Sequence, residues 1–194
     1  PARGMRSYLA IRGGFDLAPV LGSCATDTLA QIGPAPLMAG DALAPAGRAA
    51  GAVTDPGLGP DLPQAGAVVT LPVTLGPRTD WFDDATVQRF LAQEWTVTPQ
   101  SSRVGIRLSG EALTREDARE LPSEGTATGA IQVPHSGQPV LFLADHPLTG
   151  GYPVIATLHP SALDLAGQLP PGTRIRFAAD APFADIDPEA HDVS

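Results

Sequence analysis

Between Gly129 and Pro153 the chain reads GAIQVPHSGQPVLFLADHPLTGGYP, and this stretch limits the fold more than any other. Ala130–Val133 and Pro139–Leu143 are apolar runs of strand length, rich in Ile, Val, Leu and Phe. Ser136-Gly137 between them is turn chemistry, so the pattern predicts a β-hairpin. Asp145 follows at the strand end. The stretch then closes on Thr149-Gly150-Gly151-Tyr152-Pro153. A glycine pair there can take positive φ, or let a ligand approach where a Cβ would clash. An inert connection between strands accounts for the same residues.

The rest of the chain repeats this texture of short runs and breakers. Its 194 residues include 21 Gly and 21 Pro, and each Pro removes a backbone donor from any helix or sheet ladder. Arg6–Arg12 alternates as a strand and ends at Gly13-Gly14. Phe15–Thr28 is turn-rich, with hydroxyls at Ser23, Thr26 and Thr28, and Gly40-Asp41 marks a turn within Leu37–Leu43. From Ala44 to Gly66 there is little to bury, and the segment reads as a linker. Order resumes with a strand over Ala67–Leu75, stopped by Gly76-Pro77. Asp80 is placed to cap a helix in WFDDATVQRFLAQ, where Phe82, Val87, Phe90 and Leu91 recur at helical spacing. Trp95–Pro99 and Arg103–Leu108 read as strands, and Thr114–Glu120 as a short exposed helical turn. Val154–Leu158 is a buried strand, Ser161–Leu169 a short helix capped by Ser161, and Arg174–Phe177 the last strand. Ala178–Ser194 reads as a loose acidic tail. The sum is a mainly β fold with few helices, a barrel or an α+β domain.

Composition excludes several functions. A net charge of −9 is unsuited to nucleic acid. The sequence holds no Lys and no Asn, which removes Schiff-base chemistry and the P-loop lysine. A single cysteine, Cys24, rules out an internal disulfide and multi-cysteine metal sites, and fits a reducing cytoplasm. No apolar run has membrane-spanning length and no signal peptide is visible. The four histidines at 135, 146, 159 and 191 do not lie at metal-ligand spacing, so no metal is expected.

Within these bounds, Asp145-His146 could do acid–base work, although a solvated loop histidine is the simpler account. Ser101-Ser102-Arg103 offers hydroxyls and a guanidinium suited to a carboxylate, carbamate or phosphate; a turn with a salt bridge is equally compatible. Gln132 and Gln138 could recognise an amide or merely flank the hairpin.

Five segments in order carry a resemblance: SYLAIRGGFDLAPVLGS, GPRTDWF, TVTPQSSRVGIRLSG, LPSEGTATGAIQVPHSGQPVLFLAD and TGGYPVIATL. Together they resemble the biotin-dependent carboxyltransferase / allophanate hydrolase subunit 2 family, whose members include KipA and the C subunit of 5-oxoprolinase. The resemblance covers about residues 5–180. It implies two cyclophilin-like β-barrel subdomains, the first N-terminally incomplete. On that pattern residues 1–48 are the remnant of the first subdomain, 49–66 a linker, 67–180 the second subdomain and 181–194 a tail.

The family implies one component of an ATP-dependent lactam or amide hydrolase that converts 5-oxoproline to glutamate. Its implied partners are a KipI-like (allophanate hydrolase subunit 1) protein and a LamB/YcsF-like third subunit. ATP, and as a second candidate biotin, would be used by the complex. Alternatives are a biotin-dependent carboxyltransferase acting on urea and a non-catalytic KipA-like regulatory protein. By position the resemblance marks Gly13, Gly14, Ser23, Thr26, Ser101, Asp145, Thr149, Gly150 and Gly151 as substrate-binding residues. Arg103, Gln132 and Tyr152 are the expected catalytic group. Arg103 would hold an anionic moiety, the Thr149–Gly151 amides an oxyanion, and Gln132 and Tyr152 the substrate amide. Cys24, Ser102 and His146-Pro147-Leu148 depart from the family pattern.

Overall fold

The computed structural model describes residues 3–28, 30–48, 51–52, 61–115 and 121–180. The chain divides into two units, residues 1–7 with 61–194, and residues 8–60.

The larger unit is a closed barrel. Its elements are β1 (Val68–Leu75), α1 (Asp84–Ala92), β2 (Trp95–Val97), β3 (Gly105–Ser109), β4 (Glu124–Gly125), β5 (Ala130–Gln132), β6 (Val140–Phe142), β7 (Thr149–Gly150), β8 (Val154–Leu158), α2 (Leu163–Ala166) and β9 (Arg174–Ala179). The barrel order is β1-β8-β5-β6-β3-β2-β9, and β4 with β7 forms a separate two-stranded ribbon. All barrel pairs are antiparallel except β1 with β9. Closure matters because it leaves no unpaired sheet edge among these seven strands.

Register explains which side chains meet. Ile106, Leu141, Ile131 and Ala156 are direct cross-strand partners on β3, β6, β5 and β8, and all four are buried in the main core. Side chains alternate along a strand, so Ala130, Val140 and Phe142 stand on the other face. There they form a smaller cluster with Val154. A register shift between Ile131 and Gln132 skips Ile155, so that Val154 pairs with Gln132. The extra residue sends Ile155 and Ala156 both into the core while turning Val154 outward.

The predicted hairpin forms with Ile131 opposite Leu141 and Gln132 opposite Val140. The helix also forms, but Asp83 caps it instead of Asp80: its carboxylate accepts from the Thr86 N–H at 2.7 Å. Asp80 lies in a preceding 3₁₀ turn, Thr79–Trp81. On α1, Phe90 is fully buried, stacks on Phe177 of β9 at 4.7 Å, and its carbonyl accepts from Trp95 Nε1 at 3.0 Å. The expected helix over 161–169 is shorter: a 3₁₀ turn, Pro160–Ala162, leads into α2, and His159 rather than Ser161 supplies the cap. The strand predicted at Arg6–Arg12 is absent; those residues have no ladder partner, and alternation without a partner makes no strand. Residues 116–120 of the expected helical turn and residues 181–194 of the tail lie outside the described residues.

Residues 3–6 run beside the barrel unit's own segments. Gly4 N–H donates to Pro63 O at 2.7 Å, and the Met5 and Arg6 N–H groups share Gln168 Oε1. The smaller unit, 8–60, has only isolated bridges among its described residues: Phe15–Pro45, Val20–Ser23 and Asp27–Ile32. Tyr8, Leu9, Leu21, Leu37 and Met38 are exposed there.

Candidate functional site

The outer face of the barrel at β5 and β8 carries the best-defined polar constellation. Gln132 is only 4% exposed. The ribbon lies against it. A Cβ on Gly150 would stand 2.6 Å from Gln132 Nε2 and 3.1 Å from Oε1, with the Thr126 methyl at 3.2 Å. A Cβ at 150 would have to displace the end of the Gln132 side chain; the Gly150 backbone is not among the positive-φ glycines.

The ribbon brings in charge. Glu124 pairs in register with Gly150, and its carboxylate holds Arg78 through two contacts, Nε at 3.2 Å and a shorter one from Nη2. Arg78 is anchored by its N–H to Val154 O at 2.9 Å, and Val154 is the ladder partner of Gln132. Arg78, Glu124, Gly150, Gln132 and Val154 thus form one connected group. The hydrogen bond to Glu124 raises the Arg78 pKa, offset in part by burial, so the guanidinium is a fixed cation. Thr126 N–H donates to Leu148 O at 3.0 Å. By the alternation of an antiparallel ladder, Glu124 and Gly150 are the next hydrogen-bonded pair, and the Thr149 amide points away from β4.

Sequence reasoning named Gln132, Thr149 and Gly150 but passed over Arg78 as a site residue. The signal for it was present in the GPRTDWF segment, yet nothing in local spacing links it to Glu124 across 46 positions.

The remaining expected residues are distributed. Arg103 Nε pairs with Asp145 at 3.0 Å on the surface, the two side chains being 57% and 49% exposed. Ser101 Oγ accepts from Arg107 N–H, and Ser102 Oγ from Val104 N–H, so both hydroxyls help to fix the turn. His146 turns from Asp145: its Nδ1 lies 3.0 Å from Thr126 Oγ1 and its ring stacks on Phe142. Tyr152 sits edge-on to His135, ring centroids 5.6 Å apart. Gly151 borders Leu121 O, 3.3 Å from where its Cβ would lie. Gly13, Gly14, Ser23 and Thr26 belong to the unit 8–60. There a Cβ on Gly13 would meet Arg48 O at 2.7 Å, Ser23 Oγ accepts from Ala25 N–H, and Thr26 Oγ1 donates to Pro34 O. Cys24 is free and exposed. Among the described residues no cluster of His, Cys, Asp and Glu could hold a metal ion, and no helix is long and apolar enough to cross a membrane.

The model of the carboxyltransferase domain, subdomains A and B, matches residues 1–179. The chain belongs to this family. It is 39% identical over 180 residues to the 5-oxoprolinase C subunit of Escherichia coli (strain K12), a match covering 91% of this chain and 57% of that protein. It is 35% identical over 179 residues to the 5-oxoprolinase C subunit of Haemophilus influenzae, covering 91% and 56%. Among solved structures it resembles the K. lactis urea amidolyase with a TM-score of 0.76 at 27% identity, covering 91% of this chain and 12% of that one. This carboxyltransferase-domain chain therefore spans somewhat over half the length of the curated relatives it matches. Its mainly β, barrel-forming architecture is that of the family.

Proposed function

We propose that this chain supplies the amide-recognition face of a protein akin to the 5-oxoprolinase C subunit. It would act with a KipI-like protein and a LamB/YcsF-like third subunit in a cytoplasmic assembly that opens 5-oxoproline to glutamate with ATP hydrolysis. The 39% identity to a 5-oxoprolinase component over 91% of the chain, against 32% over 90% to the urea amidolyase of Lachancea kluyveri, supports this reading over a urea carboxyltransferase. The observation that carries it is Gln132, a carboxamide on a residue only 4% exposed, packed on Gly150 beside the Arg78–Glu124 pair. A lactam presents one N–H and one carbonyl, and a carboxamide complements both.

Within this reading, Gln132 orients the ring amide and the Thr149 N–H faces the carbonyl oxygen as negative charge develops on it. Arg78 and Glu124, joined as an ion pair, fix the ribbon beside Gln132. Arg103 would exchange its exposed partner Asp145 for the substrate carboxylate. Biotin's ureido ring also offers N–H and carbonyl groups, so Gln132 would fit it by the same two bonds. Biotin would serve there as a carboxyl carrier.

The test is ATP-dependent glutamate release from 5-oxoproline by the gene product co-expressed with its neighbouring subunits, with urea plus biotin in parallel. Gln132→Leu keeps the shape and removes the amide; kcat/KM is expected to fall about a hundredfold. Unchanged turnover in a variant of native stability would overturn the assignment. The departures at Cys24, Ser102 and His146 favour a second reading, a KipA-like protein that binds its partner without catalysis. That reading predicts a stable complex with no turnover of either substrate.

A further inference from the structure

Ladder register sets an arginine in the same row as Gln132. Arg107 of β3 pairs with Val140 of β6, and Val140 pairs with Gln132 of β5. Ile106 and Leu108 on either side of Arg107 lie in the core, so alternation turns Arg107 to the outer face that Val140 and Gln132 share. Two inter-strand spacings separate Arg107 from Gln132, about 10 Å between Cα atoms. The Arg107 backbone is held on its β2 side. Its N–H donates to Ser101 Oγ at 3.1 Å, and its carbonyl accepts from Thr98 N–H at 2.9 Å. Arg107 and Val140 are therefore a non-hydrogen-bonded pair, whose side chains stand close. The floor beside them is apolar. A Cβ on Gly105 would lie 3.2 Å from Val140 Cγ1 and 3.4 Å from Phe142 Cδ1, so both side chains lean toward β3. Arg107 is exposed and Val140 half-buried, so this part of the row is open.

The Arg107 guanidinium is unspent. It enters no ion pair or hydrogen bond among the described residues, whereas Arg78, Arg89, Arg103, Arg174 and Arg176 each hold a carboxylate. The row thus offers a carboxamide, an apolar step and a free cation. A small lactam acid carries the complement of all three: a ring amide, methylene groups and a carboxylate. We infer that Arg107 binds the substrate carboxylate and so sets a preference for lactam acids over neutral lactams. The inference rests on the lactam reading at Gln132. The planar fork of an arginine engages both oxygens of a carboxylate, and its charge is permanent. With the carboxylate on Arg107, the ring lies over Val140 and its amide faces Gln132. Arg103 must release Asp145 before it can join the same carboxylate, whereas Arg107 needs no exchange of partner.

The test uses the assembled complex, with 5-oxoproline as substrate and 2-pyrrolidinone, the same lactam without its carboxylate, as competing inhibitor. Arg107→Ala is expected to raise KM for 5-oxoproline about ten- to a hundredfold, with kcat changed far less and Tm kept. Inhibition by 2-pyrrolidinone should stay as in the parent, because that ligand has no group for Arg107. Arg107→Lys keeps the charge without the fork and should recover part of the loss. Gln132→Leu is measured alongside. If it lowers turnover while Arg107→Ala leaves KM unchanged, the lactam site stands and the role of Arg107 is refuted. If Arg107→Ala weakens 5-oxoproline and 2-pyrrolidinone alike, the residue acts through the fold and its role in specificity is equally refuted. A parent complex that does not turn over 5-oxoproline, or a Gln132→Leu variant that matches the parent, removes the lactam reading and this inference with it.

Discussion

The position a Cβ would take on Gly150 lies 2.6 Å from the side-chain nitrogen of Gln132. The ribbon and the barrel meet at that point, so the glycine and the buried amide are one structural unit. Gly150→Ala should destabilise the fold by about 1–3 kcal/mol through overpacking against the barrel wall. Gln132→Ala removes the obstruction, so the double variant should cost less than the sum of the singles. Urea unfolding of the four proteins checks this; strict additivity would show that the two residues do not press on each other.

Arg103 and Asp145 behave differently, because their pair is half exposed. Arg103→Ala should change stability by no more than about 1 kcal/mol. Any larger loss of substrate turnover in the assembled complex would then report on binding. On the proposed 5-oxoproline reading, a raised KM for that substrate with little change in Tm is the expected result, measured on the same preparation.

Helix α1 provides a pH-dependent test. The Asp83 carboxylate is held below its ordinary pKa of 3.8 by hydrogen bonds from the Thr86 side chain and then its backbone. A lowered folded-state pKa contributes stability above the unfolded pKa that is lost as pH falls through the folded one. Asp83→Ala should therefore lower Tm at neutral pH, and the gap should close below about pH 3.8. Asp83→Asn keeps a capping oxygen without the charge and should flatten that dependence. A gap constant across the acid range would show that the charge plays no part in the cap.

Phe90 ties α1 to the barrel through Phe177 and accepts from Trp95 through its carbonyl. Phe90→Ala should cost about 3–5 kcal/mol, since a fully buried aromatic leaves a cavity the rigid barrel cannot collapse. Trp95 fluorescence during urea unfolding measures the change; a loss below about 1 kcal/mol would mean that the helix is not docked as described.

Much of the barrel was legible because its signals are local. β1 before Gly76-Pro77, the helical spacing around Phe90 and the β5–β6 hairpin around Ser136-Gly137 each announce themselves within a dozen residues. The same locality misled at Arg6–Arg12, where alternation suggested a strand that found no neighbour. It also misplaced the helix caps at Asp80 and Ser161, since a cap depends on which carboxylate or ring reaches a free N–H.

The amino-acid sequence by itself determined the breaker density that keeps strands short, the hairpin, the main helix and the family pattern to which Gln132 and the TGGYP segment belong. Only the tertiary structure decided that β1 closes the barrel against β9, that Arg78 meets Glu124, and that Gly150 lies on Gln132. It also decided that Arg103 is occupied by Asp145 and that Arg107 stands in one row with Gln132. The physical reason is range. Turns and periodicity are set by neighbouring residues, whereas these contacts join segments brought together by barrel closure, whose register depends on every strand at once.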